Sequence, residues 1–290
     1  MDDALFFAPG SLKETVKVLG AYKEKAVILA GGTDLVPRIN TYNFKPEVLV
    51  YIGKAGLDYI KEEKDKLVIG AATPMAKIAA SKLLGRKAVA LVQAAGQAGT
   101  AAVRTAATIG GNLANASPAA DLATPLLAMD AEVTLLSQKR KRVVPLKDFF
   151  TGPGKTVLQP GEIMVEVSVP VPKGKTIFLK LGRRKALALS VVNTAVRLEM
   201  KGKKCREARI ALGSVAETPL RCTKAETLLQ GAVMEAGVIE TCAAEALCAA
   251  RPIDDHRATA WYRKEAGTVL VARALAAAAG LNSEKGGKAK

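Results

Sequence analysis

Thr108-Ile109-Gly110-Gly111-Asn112-Leu113-Ala114-Asn115-Ala116-Ser117-Pro118-Ala119-Ala120-Asp121 decides how this chain reads, together with a second glycine pair far upstream in Leu29-Ala30-Gly31-Gly32-Thr33-Asp34-Leu35. Adjacent glycines open backbone conformations closed to other residues and let the chain approach a ligand closely, so successive N–H groups can converge on an anion. The flanking Thr, Asn and Ser side chains add neutral hydrogen-bonding groups. One Gly-Gly pair more often marks an ordinary turn than a site. Two pairs with matching polar flanks, in separate parts of the N-terminal region, read as a split phosphate cradle whose glycines, Gly111 among them, take positive backbone angles. The pattern Gly-x-Gly-x-x-Gly after a strand, with an acid about 20 positions on, is absent, so the common dinucleotide fold is excluded.

Around these motifs the chain alternates helical and strand-like patterns. Ser11 to Leu19 is helical, with Ser11 and Glu14 as a capping box, and leads into the apolar strand Ala26-Val27-Ile28-Leu29 and the first glycine pair. Val48 to Ile52 and Lys66 to Gly70 are further strands, and the Ala-rich stretch from Met75 to Ala107 favours helices around a small sheet. Glu132 to Leu136 with Arg142 to Pro145 reads as a hairpin, followed by a strand from Ile163 to Val169. Proline, glycine and lysine in Val171-Pro172-Lys173-Gly174-Lys175 break both periodicities and mark a boundary. Beyond it, Thr176 to Lys180, Val191 to Met200 and Cys205 to Leu212 form a small antiparallel sheet. Helices over Lys224 to Leu229, Met234 to Ala250 and Thr259 to Ala279 finish the chain. The last residues, 282–290, are expected to be a disordered tail.

Composition removes several function classes. The 290 residues are 49% hydrophobic, which suits a soluble globular protein with a sizeable core. No apolar run reaches the ~20 residues that span a bilayer, and Met1-Asp2-Asp3 opens no secretory signal, so a cytoplasmic location is the expectation. A formal charge of +16 invites nucleic-acid binding. The basic residues, however, gather in Lys139-Arg140-Lys141-Arg142 and Lys201-Gly202-Lys203-Lys204, which read as solvated hairpin tips, and in the tail at Lys285, Lys288 and Lys290. Aromatics make up 4% and do not interleave with them, so no nucleic-acid partner is expected. Cys205, Cys222, Cys242 and Cys248 form no Cys-x-x-Cys pair and His256 is the only histidine, a pattern of reduced packing cysteines rather than metal ligands.

The two glycine motifs, with Ser117-Pro118 and Asp121, resemble the paired signatures of the FAD-binding medium subunit of molybdenum hydroxylases, the family that includes xanthine and carbon monoxide dehydrogenases. The similarity continues in order through Gly161-Glu162-Ile163-Met164, Lys180-Leu181-Gly182-Arg183-Arg184, Ala211-Leu212-Gly213-Ser214 with Pro219, and Asp255-His256-Arg257 leading to Trp261-Tyr262-Arg263. The resemblance implies an α+β chain: a two-subdomain FAD-binding fold of the PCMH/vanillyl-alcohol-oxidase type over residues 1–172, divided near 55, then a small antiparallel sheet packed with a helix bundle over 173–281. It also implies FAD in this chain, with [2Fe-2S] clusters in a small partner subunit and molybdopterin in a large one. Electrons would pass from the clusters through FAD to NAD+ or another acceptor. A xanthine dehydrogenase-like complex is the favoured branch. Carbon monoxide, aldehyde or aromatic-CoA dehydrogenase flavin subunits, and a stand-alone FAD oxidoreductase, are the alternatives. One branch carries a cluster-binding insertion in this subunit, and no cysteine-bearing insertion is seen here.

By the same resemblance the cofactor contacts are Ile28, Leu29, Ala30, Gly31, Gly32, Thr33, Asp34, Leu35, Thr108, Ile109, Gly110, Gly111, Asn112, Asp121, Met164 and Lys180, with no catalytic residue and no metal ligand. Blander roles stand beside several of these. Asp121 also suits the N-cap of a helix over Leu122–Met129, Met164 a packed strand position, and Lys180 a solvated one. Arg183, Arg184 and Lys185 read as anion-attracting or subunit-contact residues, and Trp261, Tyr262 and Arg263 as packing positions on an amphipathic helix.

Overall fold

Leu5–Phe7 (β1), Ala26–Leu29 (β2) and Val48–Tyr51 (β3) make a parallel sheet in the order β1-β3-β2, with Leu12–Tyr22 (α1) and Leu35–Thr41 (α2) in the connections. The computed structural model describes residues 4–184 and 187–281. Ser11 caps α1 by accepting from the Glu14 N–H at 3.2 Å, and the Glu14 carboxylate accepts from Gly10 rather than from Ser11, so the box closes one residue early. Val16, Leu19, Val48, Val50 and Ile52 form the small core of this sheet, closed on its far side by Ile163 and Val165.

The second sheet is antiparallel. Ile60–Glu63 (β4) and Lys66–Gly70 (β5) are followed by Met75–Ala79 (α3), Lys82–Lys87 (α4), Val89–Gln97 (α5), Ala101–Ala106 (α6), Ile109–Ala114 (α7) and Ala123–Ala128 (α8). Then come Glu132–Leu136 (β6), Lys141–Pro145 (β7), the small ribbon Phe150–Gly152 (β8) with Lys155–Thr156 (β9), and Ile163–Pro170 (β10). The order β4-β5-β10-β6-β7 places the last strand in the centre. Leu67, Ile69, Leu91, Ile109, Leu122, Leu135 and Phe149 are fully buried between the sheet and its helices.

Lys175–Gly182 (β11), Ser190–Lys201 (β12), Lys204–Gly213 (β13) and Leu220–Arg221 (β14) form the third sheet, and Thr223–Leu229 (α9), Ala236–Cys248 (α10) and Ala260–Ala279 (α11) complete the chain. This sheet is covered on both faces. Val192, Val196, Ile210 and Leu212 pack with Cys242, Ala246, Val271 and Leu275 of the helices, while Phe178, Ala195 and Ala211 on the opposite face join the core of the second sheet. Two-sided burial explains why β12 is buried without interruption from Ser190 to Val196, Asn193 and Thr194 included. Among the described residues, no helix is long and apolar enough to cross a membrane.

The basic run at residues 139–142 is not a uniformly solvated tip. The turn ends at Arg140, and Arg142 lies in β7 with its guanidinium donating to buried Glu162 at 2.9 and 2.7 Å and to the Val157 carbonyl. Glu162, from the Gly161-Glu162 motif, also accepts from the Gln159 N–H and thereby fixes the entrance to β10. Burial alone would raise its carboxyl, but the hydrogen bonds from Arg142 and Gln159 outweigh burial and hold it below the usual range. Asp255 is likewise depressed: burial is overcome by Arg257, by backbone amides and by the charge of Arg263. The tail residues 282–290, with Lys285, Lys288 and Lys290, lie outside the described residues.

Arg263 is the largest fully buried side chain, against the expectation of simple helix packing. It donates to the Val191 and Ser214 carbonyls at 2.6 and 3.1 Å and to Asp255 at 2.7 Å, tying α11 to two strand ends. Its neighbours Trp261 and Tyr262 are exposed. Arg263→Met should cost about 3 kcal/mol in urea unfolding, because two buried carbonyls lose their donor and Asp255 loses a partner. A loss below about 0.5 kcal/mol, ordinary for a surface site, would contradict this role. Depressed carboxyls also set a pH limit. Glu162 and Asp255 contribute stability that is present above the unfolded carboxylate values near 4 and is lost as pH falls through their lower folded values. The thermal midpoint should therefore hold near neutrality and drop below about pH 4; a midpoint that rises on acidification would reverse the sign.

Candidate functional site

Between the first and second sheets lies a cavity of about 550 Å³, within the range of small-molecule sites. Its two rims are the loop after β2 and the segment that enters α7. The first rim is Ala30 to Leu35, in which Gly32 alone has a left-handed φ, of 69°. Gly31 is needed for another reason: a Cβ there would fall on the Ala106 carbonyl and lie 3.0 Å from the Ala107 nitrogen. The loop thus rests backbone to backbone on the neighbouring sheet's helices.

The second rim differs from the expected glycine turn. Gly110 and Gly111 sit in the first turn of α7, neither with positive φ, and Thr108 is the N-cap, its hydroxyl accepting from the Gly111 N–H at 3.1 Å. The Ile109 and Gly110 N–H groups donate to the carbonyls of Thr73 and Ala71 at 3.1 and 2.9 Å, and Asn112 donates to Thr108. A Cβ on Gly110 would approach the Ala71 carbonyl to 2.7 Å. The N–H groups of this motif are therefore spent on holding α7 against the end of β5. By contrast, among the described residues the backbone N–H groups of Gly31 through Leu35 find no acceptor.

What the second rim offers is side chains. Asn112 lines the cavity and its Oδ1 is buried without a partner. Asn115 and Ser117 line it too. On the apolar side stand Val27, Ile28, Ile52, Met75, Val103, Leu158, Ile163 and Met164. Met164 and Ile163 are adjacent in β10 and both line the cavity, although their side chains enter different cores, Ile163 that of the first sheet and Met164 that of the second. The strand edge thus meets the cavity where the two cores adjoin.

Asp121 lines the cavity but does not cap α8, whose N-cap is Leu122 without a side-chain bond. Its carboxylate accepts from Lys180 Nζ at 2.6 Å and from the Ser190 hydroxyl at 2.7 Å, with Asn193 at 3.5 Å. Burial pushes the carboxyl above its ordinary value, opposed by the Lys180 charge and the two hydrogen bonds. Lys180 is therefore buried rather than solvated, and it borders a second, smaller pocket with Gln97 and Arg184. Of the residues expected at the cofactor, all line the cavity except Leu29, which forms part of β2, Ile109, which is in the core, and Lys180, which stands behind Asp121. Arg183 and Arg184 donate to the His256 and Leu187 carbonyls. Lys185 lies outside the described residues. Ala71, Ala98, Gly99, Ala107, Leu189 and Arg38 also line the cavity and lie outside both motifs, while Ala114, Ala119 and Ala120 line it from within the second.

Residues 2–172 match the family model described as the FAD binding domain in molybdopterin dehydrogenase, and residues 177–278 match that of the CO dehydrogenase flavoprotein C-terminal domain. The chain belongs to the FAD-binding medium subunits of the molybdenum hydroxylase family. The nicotinate dehydrogenase FAD-subunit of Eubacterium barkeri is 37% identical over 249 residues, 83% of this chain and 84% of that one. The xanthine dehydrogenase FAD-binding subunit of Escherichia coli O157:H7 is 31% identical over 96% and 98% of the two chains. A solved carbon monoxide dehydrogenase structure from Hydrogenophaga pseudoflava superposes with a TM-score of 0.91 at 32% identity, covering 95% of this chain and 96% of its own.

The cavity of this medium subunit fits FAD on its own chemistry. Uncommitted loop N–H groups suit phosphate oxygens, the orphaned Asn112 oxygen suits a ring or ribityl donor, and the apolar wall suits an aromatic face. Glycine substitutions should follow the backbone geometry. Gly31→Ala drives a methyl into the Ala106 carbonyl, whereas Gly111→Ala meets only the Thr108 hydroxyl at 3.0 Å. Flavin-to-protein absorbance ratios should fall sharply for the first and little for the second, and the reverse order would remove the close approach from the site. Asn112→Leu should weaken FAD by about three- to tenfold, the worth of one hydrogen bond.

Proposed function

We propose that this chain is the electron-exit subunit of a three-part molybdenum hydroxylase and that it seats FAD between its first and second sheets. The observation that carries the reading is the meeting, in one cavity, of uncommitted N–H groups at Gly31 to Leu35 with the unpartnered Asn112 oxygen. When bound, FAD supplies single-electron uptake from an iron–sulfur cluster and two-electron delivery to NAD+ or another acceptor, chemistry that belongs to the cofactor. The chain's own residues bind and orient. Ala30 to Leu35 receive the phosphates, Thr108 and Asn112 hydrogen-bond the cofactor, and Ile28 and Met164 exclude water from the flavin. Asp121, clamped by Lys180 and Ser190, ties the third sheet to the cavity from behind.

No His or Cys lines the cavity among the described residues, and the Ser117 hydroxyl accepts from the Ala119 N–H, so the chain brings no nucleophile with a base. Substrate oxidation is accordingly assigned to a large molybdopterin subunit, and electron supply to a small subunit with two [2Fe-2S] clusters. Relatives named for nicotinate and xanthine lie at 37% and 31% identity, so similarity of this chain does not rank xanthine first. The substrate is set in the large subunit. A cytoplasmic site of action belongs to the same reading.

Acid precipitation of the purified chain should release FAD into the supernatant, because no cysteine or histidine is placed at the cavity for covalent attachment. In native extract the chain should migrate with two partner polypeptides, and alone it should oxidise no purine, aldehyde or N-heterocycle. A homo-oligomer that turns over an organic substrate unaided would replace this reading with a stand-alone flavoenzyme.

A further inference from the structure

We propose that Arg38 supplies the countercharge for the diphosphate of the bound dinucleotide; this rests on the reading of the cavity as the FAD site. Charge bookkeeping in the cavity motivates the assignment. Asp34, Arg38 and Asp121 are the charged side chains that line it among the described residues, and Asp121 is already taken by Lys180 at 2.6 Å. Asp34 and Arg38 then sum to zero. A diphosphate brings two negative charges beside Asp34, and peptide N–H groups offset them only as partial charges. Among the described residues Arg38 is the one full positive charge on the cavity wall.

The side chain is held ready for that role. Its Cζ lies over the Phe44 ring, 5.1 Å from the centroid, and its carbonyl accepts from the Tyr42 and Phe44 N–H groups at 3.1 and 3.3 Å. Among the described residues its only ionic neighbour, Asp34, is 3.9 Å away, too far for a hydrogen bond. The guanidinium therefore donates no hydrogen bond among the described residues, unlike Arg104 beside the same cavity, which is spent on the Ala98 and Gly99 carbonyls. The contact with the Phe44 ring leaves the fork of donors open, which suits two phosphate oxygens at once. Half exposure makes the interaction sensitive to salt.

The test is titration of the full-length, flavin-free chain with FAD and with riboflavin, followed by flavin fluorescence at low and high salt. Arg38→Gln should weaken FAD by about tenfold at low salt and flatten its salt dependence, while riboflavin affinity stays unchanged. Arg38→Lys should recover part of the loss, since it keeps charge without the fork. FAD affinity that is unchanged in Arg38→Gln, or FAD and riboflavin weakened alike, overturns the assignment. If the wild-type chain binds FAD and only Arg38 proves irrelevant, the cavity reading survives. If the wild-type chain binds no FAD, both fall. Should Arg38→Gln fail to fold, the ratio of FAD to riboflavin affinity in Arg38→Lys decides in the same way.

Discussion

The cavity exists because two backbones touch. Gly31, in a loop of the first sheet, rests on the carbonyl of Ala106 in the second, and Gly110 rests on Ala71 at the end of β5. Ala71 in turn donates to Val165 in β10, the strand whose neighbours Ile163 and Met164 form the far wall. Any side chain at Gly31 would separate the rims by the width of a methyl, since backbone atoms have no rotamer through which to yield. Close packing of two loops from different sheets, rather than one loop wrapped around a ligand, is the constraint from which the rest of the site follows.

That constraint divides labour between the two glycine pairs, which look equivalent in the sequence. The pair at 31–32 leaves its N–H groups uncommitted, while the pair at 110–111 spends its own on α7 and on β5. An N–H group already bound to a carbonyl cannot serve an anion without a loss comparable to the bond gained. The second motif is therefore a support that holds Asn112 at the cavity, and the first is the part that, on the proposed reading, receives phosphate. The difference depends on whether the residues after the glycines continue as a helix. A capping Thr at 108 in Thr108-Ile109-Gly110-Gly111 signals that helix as plainly as it signals a ligand contact.

Regular elements were legible wherever a period ran long enough. The β6–β7 hairpin, the central strand β10 and the three long strands of the third sheet fall where apolar patterning puts them. Shorter pieces such as β1, β14 and the β8–β9 ribbon were not, because two or three residues carry no period. Motif residues of the candidate site were legible through resemblance. Beyond Ile28, Leu35 and Met164 its apolar lining was not, since Val27, Ile52 or Leu158 could equally be core. Nor was the meaning of the outlying motifs. Glu162 clamps Arg142, and Asp255 clamps Arg257 and Arg263, so acids that travel with the family signature here work as anchors for strand and helix ends.

Asp121 and Lys180 tie the third sheet to the cavity. Taking two charges out of water is costly unless each finds partners, and here Ser190 and the Gln97 carbonyl complete the shells of the pair. A hydrophobic contact would join the two layers with less penalty but without direction. The charged pair specifies which lysine on β11 meets which residue before α8, and so fixes the register of the third sheet against the wall of the cavity. Phe178, two positions earlier on the same face of β11, inserts into the core of the second sheet and accounts for the adhesion. Adhesion comes from apolar burial and alignment from the ion pair. The third sheet thereby backs Asp121 at the cavity while its other face, under α10 and α11, remains an independent core.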